Sequence, residues 1–274
     1  MKPAPFDYVR AETVEEALDI LRRHGPDARV LAGGQSLMPM LSMRLARPRV
    51  LVDVMGVPAF RHVRAERGGL SIGAAVRQAS LEHRPGLAAT QPLLAHALPW
   101  VGHAQTRNRG TACGSVAHAD PSAELPLVMI ALGAEVQLRS ARRRRRVPAA
   151  QFFIGMMATS RADDELIEAI VLPDRRPGTG HAFREVGRRH GDFAIVACAA
   201  VVDGAGARLA VGGVADRPMA FALPLPGPEL DAALDDVAWG VDARDDLHAT
   251  ASYRRGLIRR MGRATIEDAA RCRD

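Results

Sequence analysis

Two glycine turns, far apart in the chain and each set between an extended segment and a helix, constrain this sequence more than any other feature. The first, Ala32-Gly33-Gly34-Gln35-Ser36-Leu37, directly follows the apolar pair Val30-Leu31. The second lies in Arg107-Asn108-Arg109-Gly110-Thr111-Ala112-Cys113-Gly114-Ser115-Val116-Ala117-His118-Ala119-Asp120-Pro121. Glycine leaves bare backbone where an anionic group can come close, and turns that run into helix N-termini present N–H donors to it. Two such turns point to one long phosphate-bearing ligand held at two places. Neither is the common dinucleotide fingerprint, because G-x-G-x-x-G does not occur.

Around these turns the chain reads as mixed helix and strand. Thr13 can cap a first helix, Glu16 completes a capping box, Val14, Ala17, Leu18 and Leu21 share one face, and Gly25 ends it. Residues 28–32 read as a buried strand entering the first turn, Ser36 onward as a short helix, and 50–54 as a second strand. Residues 61–64 and 70–74 flank Gly68-Gly69 as a hairpin, helices follow at 75–82, 92–98 and 122–132, and strands at 134–140 and 166–172. A Pro- and Gly-rich linker at 173–180 leads to strands at 181–188, 194–202 and 207–214, a proline-marked loop, and helices at 229–237 and 248–270. The division expected is 1–56, 57–175 and 176–274.

A chain of 274 residues can bury a full core, and 47% hydrophobic with 25% charged content is a globular composition. The longest apolar runs, at 125–134 and 193–202, fall short of the roughly 20 residues a membrane span needs. Met1-Lys2-Pro3-Ala4-Pro5-Phe6-Asp7 has no apolar signal core, so a cytoplasmic protein is expected. Cys113, Cys198 and Cys272 are too scattered for a disulfide framework, a zinc site or a four-cysteine iron–sulfur cluster held by this chain alone. The net charge is +6, yet Lys2 is the sole lysine among 37 basic residues, which looks as much like coding bias as like selection for phosphate contact. The one dense basic run, Arg142 to Arg146, has no interleaved aromatics and reads as a solvated hairpin turn.

Five blocks in order carry a family resemblance: AGGQSL at 32–37, RNRGTACGSVAHADPSAELP at 107–126, FFIGMMATSRADDELIEAIVLP at 152–173, FREVGRRHGDFAIV at 183–196 and SYRRGLIRRMGRA at 252–264. Nearly end to end, the chain resembles the FAD-binding medium subunit of aerobic carbon monoxide dehydrogenase and the FAD domain of xanthine dehydrogenase and related molybdenum hydroxylases. The resemblance implies an α+β protein: a two-lobed FAD-binding domain of the vanillyl-alcohol oxidase or PCMH-like kind, then a smaller C-terminal α+β domain with a three-stranded sheet and helices. It implies non-covalent FAD, with Ala32, Gly33, Gly34, Gln35, Ser36 and Leu37 on one side of the diphosphate and Thr111, Gly114 and Ser115 on the other. Cys113 stands where the family most often has glycine and reads as a small buried hydrophobe.

Val101 and Gly102 would border the adenine. Leu166 and Ile167 would lie beside the flavin, or serve as ordinary strand core. Arg184 would sit near flavin or phosphate. Phe193 would lie over the isoalloxazine, or in the core. His118, Asp120 and Glu124 invite a metal or acid–base reading, but the resemblance places them in the cofactor site, with Asp120 and Glu124 accepting from ribityl hydroxyls or flavin N–H groups. Asp120 can equally cap a helix from Ser122. No catalytic group and no metal site is expected in this chain.

The implied role is an FAD-carrying electron-transfer subunit. The molybdenum cofactor and the 2Fe-2S clusters would lie only on partners, a large molybdenum subunit and a small iron–sulfur subunit, in a dimer of heterotrimers. Neither nucleic acid nor a membrane span is expected. Two alternatives stay open: a self-sufficient FAD-dependent oxidoreductase, which needs a tuned acid or base above the flavin, and a basic nucleic-acid-binding protein, which needs salt-dependent retention of DNA or RNA.

Overall fold

The computed structural model describes residues 2–66 and 68–273. The first sheet is parallel: β1 (Asp7–Arg10) and β2 (Ala28–Leu31) both pair with β3 (Val50–Asp53), in the order β1-β3-β2. β1 gives no sequence signal because its residues are mostly exposed and do not alternate. Helix α1 (Val14–His24) is built as the sequence implies: Thr13 Oγ1 accepts from Glu16 N–H (3.1 Å), Glu16 Oε2 accepts from Glu12 N–H (2.9 Å), and Gly25 closes the C-terminus at φ +51°. Its buried Val14, Ala17, Leu18 and Leu21 pack on β2 and β3. α2 (Leu37–Ser42) follows the first glycine turn.

The chain then lays down β4 (Val63–Glu66), β5 (Gly69–Gly73), β6 (Glu135–Arg139), β7 (Arg144–Pro148), the small hairpin β8 (Phe153–Gly155) and β9 (Ala158–Thr159), and β10 (Leu166–Pro173). All but the hairpin form an antiparallel sheet in the order β4-β5-β10-β6-β7. Short helices surround it: α3 (Gln78–Glu82), α4 (Leu87–Thr90), α5 (Pro92–Ala97), α6 (Ala104–Arg109), α7 (Ala112–His118), α8 (Glu124–Leu132) and α9 (Ala149–Phe152). α8 is buried along almost its whole length, as a helix wedged between two sheets must be. It starts later than the sequence implies because Asp120 Oδ1 accepts from Ser122 N–H (2.8 Å), closing a turn there instead of capping the helix.

The arginine run is not the solvated turn expected from sequence. Arg142 and Arg143 form the turn, but Arg144, Arg145 and Arg146 lie in β7 and face acids from neighbouring segments. Arg145 forks onto Glu165 (2.8 and 2.7 Å), Arg144 reaches Glu168 (3.1 Å) and Arg146 reaches Glu66 (3.1 Å). Glu165 is fully buried, and its bond to Arg145 holds its carboxyl below the usual range. The run reads as solvated from sequence because β-pairing, invisible there, brings the acids alongside.

The last sheet is antiparallel, with β11 (Gly180–Val186), β12 (Val196–Val202), β13 (Ala207–Gly212) and β14 (Met219–Leu223) in that order. It has four strands, one more than the three expected. β14 is an edge strand, largely half-buried and bounded by Pro224, so its sequence carries neither a strong alternation nor room for one. One face packs on α10 (Glu229–Gly240) and α11 (Ala251–Arg271), the other on α5 and α8. Alternation along β12 serves both: Ala197 and Ala199 join the core shared with the first two sheets, while Cys198, Ala200 and Val202 join the core under α11. Gly180 lets β11 start against α11, where a Cβ would lie 1.8 Å from the Ala269 carbonyl oxygen.

Removing the Glu165 carboxylate leaves Arg145 without its counter-charge. Glu165→Ala is expected to cost about 2 kcal/mol, read as a lower Tm, whereas Arg144→Ser, at an exposed pair, costs less than about 1 kcal/mol. Equal losses would show that burial of Glu165 adds nothing.

Candidate functional site

Both glycine turns open onto one cavity of about 710 Å³, well inside the roughly 300–1,000 Å³ of small-molecule sites. Its first wall is residues 32–37, between β2 and α2. Gly34 has φ +72°, a conformation strained for any side chain. Gln35 Nε2 bends back to donate to the Gly33 carbonyl (3.0 Å). Among the described residues, the N–H groups of Gly34, Gln35 and Ser36 donate to no protein acceptor, which leaves them for a ligand.

The second wall runs from Gly110 to Ser115 and joins two helices, α6 and α7, where the sequence implied an extended segment before the turn. Thr111 caps α7: its Oγ1 accepts from Gly114 N–H (3.0 Å) and its carbonyl from Ser115 N–H (3.2 Å). The Gly114 and Ser115 amides are therefore used within the cap, and this wall offers small side chains and the Ser115 hydroxyl. Gln78 N–H donates to the Gly110 carbonyl (2.9 Å) and Ala112 N–H to the Val76 carbonyl (3.2 Å), tying the wall to the connection between β5 and α3. Cys113 is 3% exposed and donates to the Ile72 carbonyl (3.4 Å), and burial pushes its thiol up to about 12. It is an inert packing residue, as expected.

The two walls meet at glycine. A Cβ on Gly33 would lie 2.2 Å from the Arg109 carbonyl oxygen, and one on Gly114 would lie 3.9 Å from Ala32 Cβ. Backbone thus packs on backbone, and two segments distant in sequence form one site. Val101 and Gly102 line it too. Their carbonyls accept from Arg107 Nη1 (3.2 and 3.0 Å), while Arg107 forks onto Glu82 (2.7 and 3.0 Å). Arg107 therefore positions that loop, a role its place in a helix does not reveal from sequence.

Past α7, Ala119 turns the chain at φ +53° and His118, Asp120 and Glu124 come to the cavity. Glu124 is 5% exposed, and burial, with the Asp120 charge adding to it, pushes its carboxyl up to about 8. Behind it, Glu185 of β11 is also buried. Its carboxyl is pushed up to about 9 by burial and then by the Glu124 charge, and its Oε2 has no hydrogen-bond partner among the described residues. Glu185 is invisible from sequence as part of this acidic pair, since only β11 packing on the α8 side turns it inward.

Leu166 and Ile167 are strand core and also line the cavity. Phe193 is 64% exposed at the rim, which excludes the core reading. Arg184 does not line the cavity: its guanidinium pairs with Asp268 of α11 (2.7 Å), on the other face of β11 from Glu185. The cavity adds, among others, Arg29, Arg47, Arg161, Met157 and Asp192, none of which the glycine motifs mark. Among the described residues, no His, Cys, Asp or Glu cluster could hold a metal ion, and no helix is long and apolar enough to cross a membrane.

Free amides at a glycine turn, a volume suited to a large ligand and two walls in backbone contact fit a flavin dinucleotide. Residues 4–175 match the family described as the FAD binding domain in molybdopterin dehydrogenase. The chain belongs to this family. It is 38% identical over 283 residues to the 6-hydroxypseudooxynicotine dehydrogenase complex subunit alpha of Paenarthrobacter nicotinovorans, covering 98% of this chain and 96% of the relative. It is 33% identical to the carbon monoxide dehydrogenase medium chain of Hydrogenophaga pseudoflava, covering 99% of this chain and 100% of the relative. A solved structure of carbon monoxide dehydrogenase from Hydrogenophaga pseudoflava, lacking the Mo-pyranopterin moiety of the molybdenum cofactor, superposes with a TM-score of 0.93 at 34% identity, over 99% of this chain and 100% of that one. The α+β class expected from sequence is that of the family.

Gly33→Ala and Gly34→Ala should each lower the FAD bound per chain, the first by forcing the walls apart and the second by straining the turn. Flavin absorbance of the purified variants checks this, and full occupancy in both would remove the two glycines from the cofactor site. A pH prediction follows from the acidic pair. Both glutamates ionise near 4.5 when unfolded but near about 8 and about 9 when folded. As pH rises between these values the unfolded chain releases protons that the folded chain keeps, so stability falls by up to about 1.4 kcal/mol per pH unit for each group. Glu124→Gln with Glu185→Gln should flatten that loss in melts across the interval, and an unchanged slope would show that the pair is already ionised.

Proposed function

We propose, on the two glycine turns closing over one cavity, that this chain is the FAD-carrying electron-transfer subunit of a multi-subunit molybdenum hydroxylase. It takes electrons from iron–sulfur clusters on a partner subunit and passes them to an external acceptor. When bound, the flavin supplies the redox chemistry, accepting electrons singly and releasing them to the acceptor. The chain's own residues bind and orient it. Residues 34–36 direct their free amides at the diphosphate, and Ser115 adds a hydroxyl donor. Asp120 and Glu124 face the ribityl and ring end, where a neutral Glu124 can both donate and accept. Arg107 holds the Val101–Gly102 loop against the cofactor, and Phe193 covers the open rim.

Residues 1–56 and 57–175 are read as the two lobes that hold FAD between them, and 176–274 as the domain that closes one side. The molybdenum cofactor and 2Fe-2S clusters belong to a large and a small partner subunit, in a cytoplasmic dimer of heterotrimers. One observation favours a second reading: a self-sufficient flavin oxidoreductase needs a tuned acid in its cavity, and Glu124 is one.

Purified protein should release about one FAD per chain, with no FMN, on denaturation. Substrate-dependent dye reduction separates the two readings: the assembled complex should turn over a hydroxylase substrate and the isolated FAD-loaded chain should not. Equal rates would make the chain self-sufficient, and failure to bind FAD at all would defeat both.

A further inference from the structure

Helices α10 and α11 pack together on the side of the last sheet away from the cavity, and three rungs join them. Positions 231, 235 and 239 of α10 fall on one face, four residues apart, as do 255, 259 and 263 of α11. Asp231 pairs with Arg263 (2.6 Å) and Asp235 with Arg259. At the third rung the acid is missing. Trp239 stands there, with the Arg255 guanidinium 4.8 Å from the centre of its indole and that of Arg259 at 5.8 Å. Arg255 is half-buried, with its Nε covered and without a partner. Among the described residues it makes no hydrogen bond and no ion pair, and Asp236 and Asp242, the acids nearest Trp239 in sequence, pair with no arginine.

An exposed cation–π pair and an exposed ion pair contribute similarly little to a fold. The third rung therefore holds the helices no better with Trp239 than with a third aspartate. What Trp239 adds is surface: it is 66% exposed, beside a guanidinium that no carboxylate neutralises. An open Trp next to an unpaired Arg is the combination that anchors protein interfaces. A guanidinium stacked through its face keeps an N–H edge for a carboxylate. The chain's net charge of +6 disfavours a second copy as the partner. The patch is also remote from the cofactor cavity, since α8 packs on the opposite face of the last sheet.

We propose that Trp239 and Arg255 form a docking point for a partner subunit, which sets a carboxylate on Arg255 and an apolar side chain on the indole. This rests on the reading of the chain as one subunit of a complex. The test co-expresses it with the large and small subunits and follows hydroxyl-radical oxidation of Trp239 by mass spectrometry. Oxidation should fall several-fold from the isolated chain to the complex. Trp239→Asp, which completes the ladder, should melt no lower than wild type and keep its FAD, yet raise the Kd of the complex about tenfold or more. Arg255→Met should raise the Kd as well and flatten its salt dependence. Equal oxidation of Trp239 in the complex and the isolated chain overturns the proposal, as does an unchanged Kd in both variants. Protection that appears in the isolated chain as its concentration rises makes a second copy the occupant and overturns it too. If Trp239→Asp fails to fold, protection in the wild-type complex and the Arg255 variant still decide. Failure of the three subunits to form a complex overturns the subunit reading and this inference together.

Discussion

The site depends on one steric constraint, the contact of the Gly33 backbone with the Arg109–Gly110 backbone. Any Cβ at Gly33 would fall inside the van der Waals shell of the Arg109 carbonyl. The contact puts the free amides of residues 34–36 opposite the capped start of α7, so that a ligand between them meets donors on one side and small side chains on the other. Everything else at the site is arranged around that contact. The bonds from Gln78 and Ala112 fix the second motif from behind, and the Arg107 fork fixes the loop beside it.

The arginines of the second sheet and those of the cavity have opposite consequences. In the β4-β5-β10-β6-β7 sheet they alternate with Glu66, Glu165 and Glu168, and mutual neutralisation lets a dense basic run lie flat in a strand. At the cavity, Arg47 and Arg161 bond backbone carbonyls and, among the described residues, Arg29, Arg47 and Arg161 form no ion pair. The first group serves the fold, since a buried carboxylate such as Glu165 is tolerable only when paired and hydrogen-bonded. The second leaves positive charge unspent where a ligand enters.

α8 couples the cavity to the C-terminal sheet. Its first residue, Glu124, lines the cavity, while its apolar body packs against β10, β12 and β13. Glu185 approaches from the far side, so two carboxyls share one poorly solvated region at the boundary between the cofactor site and the last sheet. Burial keeps both protonated near neutral pH. The protonation state of a cavity residue therefore depends on how the C-terminal sheet docks.

From sequence alone, the local grammar was legible: the capped α1, the strand entering the first glycine turn, the three longer strands of the last sheet, and the two motifs that build the cavity. These follow from short-range physics, namely caps, turns and periodicity, which a linear string carries. Long-range pairing decided the rest. Arg142 to Arg146 read as solvated until Glu66, Glu165 and Glu168 came alongside. Arg184 read as a cofactor residue until β11 turned it toward Asp268. Glu185, one position on, was turned inward by the same two-residue period. Arg29, Arg107 and Arg161 were not singled out from sequence, because a guanidinium becomes a site residue only through what the fold places opposite it. The sequence determined the two glycine turns that open onto the cavity. Only the tertiary structure decided which charges face it, because electrostatic environment depends on distances in space and not on spacing along the chain.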